Sequence, residues 1–241
     1  MTDNSPRKFT IPPPIKGDWL TLPDAATLLL LSRLRETGYF DEDSMPGYPV
    51  RVLPLEFYPG WVLCDFLTSG RRKATANHDE GDPPNAVGNA AHSFLYGADG
   101  FTALDGKSSP IHEHNSLHGI SIDTDTALES YFRFFCFFIR GNSGPFEVVE
   151  KDHHFVLPPN EKGTRKKARI APPKIVDRVS GEQTAKISAT IFYDRKLFAS
   201  KFVVGTTTGN ISMEEDEVIA SDVTRVPPLS FVNTLRFQAG G

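Results

Sequence analysis

The sequence predicts an α+β fold: a helical and mixed N-terminal part with a buried aromatic helix, and an antiparallel β-meander at the C-terminus. Three observations predict it. From about Asp125 to Arg140, Leu128, Tyr131, Phe132, Phe135, Phe138 and Ile139 recur at helical spacing. Phe134 and Phe137 lie off that face, so this helix is apolar almost all round and belongs in the core. Lys186 to Tyr193 and Leu197 to Val204 alternate apolar and polar residues on either side of Asp194-Arg195-Lys196, the pattern of a hairpin with a short turn. Helical patterns gather before Gly141 and strand patterns after Lys186, a segregation that marks the α+β class.

The elements follow in chain order. Residues 1–16 carry Pro6 and the run Pro12-Pro13-Pro14 and form an extended arm. A mixed α+β core is expected over 17–158. Its first helix starts at Thr21, with Pro23 in the first turn and Asp24 three residues after the cap. Leu28 to Leu31 and Leu34 give that helix its buried face, and Gly38 stops it. Pro49 to Phe57 alternates like a strand in spite of Pro54, and Trp61 to Leu67 reads as a short apolar helix closed by Gly70. Residues 69–91 hold only one sizeable apolar side chain, Val87, and read as a surface loop.

Residues 108–122 read as a loop entering a short strand. Thr124 or Asp123 then caps the aromatic helix. Two short strands flank Lys151-Asp152-His153. Residues 159–183 form a basic, proline-containing linker, 184–235 the hairpin and meander, and 236–241 a tail. A hairpin of that size is too small to stand alone and is expected to pack on the core.

Composition narrows the function classes. Hydrophobic residues are 39 % and charged residues 23 %, which suffices for a true core. The 18 phenylalanines outnumber 6 tyrosines and 2 tryptophans, so most aromatic area has no polar tip and belongs inside. A net charge of −4 argues against a dedicated nucleic-acid coat or a membrane-surface binder. Cys64 and Cys136 lie in separate apolar runs and read as buried free thiols. The polar start and the lack of any apolar run near the roughly 20 residues of a membrane span point to a cytoplasmic protein.

Two clusters could carry chemistry. His112, His114 and His118 fall close together with Glu113 between them. In an extended chain their even spacing projects all three to one side. Three imidazoles with an open position suit zinc or iron, and Glu113 would serve as general base on a metal-bound water. This would make a metal-dependent hydrolase or oxygenase. The second cluster runs from Lys162 to Arg178 and centres on Arg165, Lys166, Lys167 and Arg169, a patch suited to an acidic partner or nucleic acid. It lacks interleaved aromatics, which single-strand binding requires.

No phosphate-binding glycine loop and no dinucleotide fingerprint is present. The leading expectation is therefore a non-catalytic interaction or regulatory protein that contacts a protein partner and needs no cofactor. The metal enzyme is the alternative.

Overall fold

The computed structural model describes residues 9, 11–38, 49–70, 88–151, 155–158, 170–179, 183–226, 229–232 and 235–238. Its first elements are β1 (Leu20–Thr21), α1 (Asp24–Glu36), β2 (Val50–Pro54), β3 (Val62–Gly70), β4 (Gly88–Gly97) and β5 (Gly100–Ala103). Next come α2 (Ser109–His118), α3 (Asp125–Phe138), β6 (Arg140–Gly141), β7 (Gly144–Pro145), β8 (Glu147–Val149) and β9 (Phe155–Val156). The last are β10 (Lys174–Val179), β11 (Thr184–Tyr193), β12 (Lys196–Gly205), β13 (Ile211–Ala220), β14 (Thr224–Arg225), β15 (Leu229–Val232) and β16 (Leu235–Gln238).

The chain divides into two compact units. One takes residues 1–55, 60–103 and 229–241, and the other takes 56–59 and 104–228. The first unit is an antiparallel sheet in the order β1-β2-β3-β4-β16-β15, with β5 also on β4. Its central strands β2, β3 and β4 are buried on both faces. On one, Leu30, Leu31 and Leu34 of α1 pack with Val50, Val52, Cys64, Phe66 and Phe94. On the other, Arg51, Asp65 and Ser93 stand opposite one another across β2, β3 and β4.

Asp65 is fully buried and accepts from Arg51 Nε at 2.9 Å and Nη2 at 2.6 Å, from Arg236 Nη2 at 2.8 Å, and from Ser93 Oγ at 2.9 Å. Arg51 also donates to the carbonyl of Ile11 at 3.0 Å and lies 4.1 Å from the Phe9 ring centre. One carboxylate thus serves two buried guanidiniums, and an aromatic face takes up part of the excess positive charge.

The α+β expectation is corrected: 16 strands against 3 helices among the described residues make the fold mainly antiparallel β. Trp61 to Leu67 is the clearest case. Val62–Gly70 is a strand, not a helix, and it reads as an apolar run because both of its faces are covered, a pattern in which periodicity cannot separate the two. β15 and β16 do not extend the meander; β16 pairs with β4 through Arg236↔Ala91 and Phe237↔Ala90 in the first sheet. Ser109–His118 is a helix, not a loop, and Pro110 sits in its first turn where proline is tolerated.

The second unit is built on α3 and a sheet in the order β10-β11-β12-β13, with β8 also on β11. Thr124 caps α3, its hydroxyl accepting from the Ala127 amide at 3.1 Å. The expected hairpin is present, and Asp194 and Arg195 form its two-residue turn with φ of 49° and 58°. Positive φ at both central positions matches the twist of the flanking strands.

A buried network also ties α2 to α3 and to the turn after β12. Tyr58 donates to Asn115 Oδ1; Asn115 Nδ2 donates to Tyr131 Oη and the Thr208 carbonyl, each at 3.0 Å; Tyr131 donates to the Gly209 carbonyl at 2.6 Å. No helix among the described residues is long and apolar enough to cross a membrane.

Candidate ligand-binding site

The site begins with alternation along β12. Phe198, Ser200 and Phe202 project to one face, and their partners on β11 are Ile191, Ala189 and Ile187. On β13 the partners are Val218, Asp216 and Met213. Met213 and Asp216 are three apart, an odd spacing that would send them to opposite faces of a regular strand. A register shift between Lys201 and Phe202 makes Glu214 the extra residue and brings both back to the same face.

α3 lies over this face. Phe132 meets Phe202 edge-on with ring centres 4.9 Å apart, and Phe135, Cys136 and Ile139 continue the roof. Phe146 stacks on Tyr193 at 4.5 Å and adds a further aromatic wall. Together they bound a cleft of about 340 Å³, within the range of small-molecule sites.

Two polar groups enter this apolar space. Ser200 is 3 % exposed, and its buried hydroxyl has no hydrogen-bond partner among the described residues. Leaving a hydroxyl so costs about 1–3 kcal/mol unless something fills it. Asp216 stands directly across the strand pair from Ser200 and is solvent-exposed. Its neighbours are engaged: Glu214 with Lys186 at 3.3 Å and Glu215 with Lys201 at 2.7 Å.

Neither residue belongs to the histidine or basic clusters that stand out in the sequence. A readable trace existed for Ser200, a polar residue at a core-facing position between two phenylalanines. Asp216 had none, because Glu214 to Glu217 reads as a solvated acidic run unless the bulge is known.

The thiol of Cys136 is pushed well above its ordinary range by burial, which leaves it protonated and unreactive. Cys64 is raised likewise, by burial first and then by Asp65. Both are free and buried, as expected.

The histidine cluster lies on α2, so the extended-chain geometry does not hold. His114 and His118 are one helical turn apart with ring centres at 4.8 Å, while His112 lies against Phe135 at 5.6 Å. Glu113 is exposed. Among the described residues no group of three or more His, Cys, Asp or Glu side chains is placed to hold a metal ion. Arg165, Lys166, Lys167 and Arg169 lie outside the described residues.

His114 itself is 2 % exposed and packs edge-on against Tyr58 at 4.5 Å. Burial, and then the nearby His118, lower its pKa to about 4. The native state therefore resists a proton that the unfolded chain takes up below the ordinary histidine value of about 6.5. Stability from this group is complete above that value and declines as pH falls from about 6.5 to about 4, by up to about 3 kcal/mol. Urea unfolding at neutral and mildly acid pH should show this loss, and His114→Leu should narrow the gap by about 2 kcal/mol. An unchanged gap would contradict the assignment.

Against family models, curated proteins and solved structures alike, the chain has no match. The cleft is thus read from its own chemistry.

Proposed function

We propose that this protein acts by binding and that the cleft between α3 and strands β11 to β13 receives an apolar small molecule. The observation that supports it most is the pairing of an aromatic-walled space with a buried hydroxyl that has no hydrogen-bond partner among the described residues. Pockets of this kind gain affinity from apolar area and orient their ligand with a few polar groups. Two further facts favour binding over covalent chemistry. No base lies within hydrogen-bonding reach of Ser200 among the described residues, and Cys136 is held as the thiol.

This reading keeps the expectation of a non-catalytic interaction or regulatory protein. It places the contact in the second unit, apart from the basic cluster around Arg165 to Arg169. A protein partner remains part of the proposal, since a binding protein without its own reaction acts through what it contacts.

Titration with the neutral fluorophore N-phenyl-1-naphthylamine should give saturable enhancement with one site per chain. Met213→Trp plugs the rim from a position already 54 % exposed, so it should abolish the enhancement without lowering the melting temperature. Enhancement that is absent, or unchanged in Met213→Trp, would overturn the proposal.

A further inference from the structure

The polar end of the cleft has a definite charge. Four carboxylates, Glu214, Glu215, Asp216 and Glu217, succeed one another on β13. Lys186 and Lys201 are held by Glu214 and Glu215, and Asp216 and Glu217 have no ion-pair partner among the described residues. Asp216, brought onto the cleft face by the bulge, sets a negative group opposite the Ser200 hydroxyl. Phe135, Phe146, Phe198 and Phe202 line the same cleft.

From this we infer that the ligand is a hydrophobic primary amine, its ammonium held between Ser200 and Asp216 and its hydrocarbon buried among the four phenylalanines. The inference rests on the cleft being a ligand site and specifies what that site selects. An ammonium has three donors and no acceptor. One donates to the Asp216 carboxylate and a second to Ser200 Oγ, which fills the buried hydroxyl. Ring faces attract a cation placed over them. A fatty acid of the same length meets the opposite balance: its carboxylate faces Asp216 with further acids on the same strand, a like-charge approach that disfavours it. A neutral alcohol can bond Ser200 and donate to Asp216, but it gains no charge attraction there.

Solvent reaches Asp216, so the charge contribution is modest and falls with salt.

The test is calorimetric titration of the full chain with decylamine, decanol and decanoate at neutral pH and low salt, each below its micelle concentration. Decylamine should bind about five- to tenfold more tightly than decanol, and decanoate most weakly. Asp216→Asn should bring decylamine and decanol within about twofold while leaving decanol unchanged. Ser200→Ala should weaken both. Equal affinities in the native protein, a preference for decanoate, or an amine preference that survives Asp216→Asn would overturn the amine assignment and leave the apolar site standing. Failure of all three molecules to bind would remove both.

Discussion

Asp65→Ala should destabilise the first unit by about 3–5 kcal/mol, the range for removing one partner of a buried ion pair. The carboxylate is fully buried and is the shared acceptor for Arg51, Arg236 and Ser93. Without it, two guanidiniums at 8 % and 1 % exposure lose their counterion in a site that excludes water. Ser93→Ala removes a single neutral donor and should cost only about 1 kcal/mol. Urea unfolding followed by circular dichroism distinguishes the two. A loss below about 1 kcal/mol for Asp65→Ala would mean that the arginines find other partners.

Gly209→Ala should cost about 3 kcal/mol or more, in the second unit, by adding backbone strain to overpacking. The residue holds φ of 68°. A Cβ there would press on Asn115 Nδ2, come within 2.6 Å of Tyr131 Oη and reach 3.0 Å from Ile120 Cδ1. Those atoms belong to the Tyr58–Asn115–Tyr131 network, which has no room to retreat without losing hydrogen bonds. Gly38→Ala is the matched control. Its φ is 64°, but a Cβ there meets nothing within 4 Å, so only the left-handed strain of about 1 kcal/mol applies. Comparable melting temperatures for the two variants would refute the packing account.

Much of the second unit was legible in the sequence. The aromatic helix announced itself through heptad-like phenylalanines and a threonine cap, and the β11–β12 hairpin through alternation around Asp194-Arg195. β3 was not legible, because Val62, Cys64 and Phe66 face one layer while Leu63, Asp65 and Leu67 face another, and both layers exclude solvent. α2 was hidden for the opposite reason. Its buried side chains are Ile111, His114 and Asn115, so two of the three are polar and no apolar stripe marks it. The cleft depended on an offset between β12 and β13. Bulges leave no reliable trace in composition, and without this one Met213 and Asp216 would face opposite sides of the sheet.

The pairing of β16 with β4 has a consequence for how the chain is made. β15 and β16 complete a sheet whose other strands come from positions 20–103, and all of 104–228 is synthesised between them. The second unit has every strand of its sheet within that interval and can form while the ribosome is still working. The first must hold β4 partly open until the distant hairpin arrives, against the entropy of closing a long loop. Until then, that segment of β4 offers unpaired amides and carbonyls to any passing strand, so the hazard of misassembly falls on the part of the protein that is begun first and finished last.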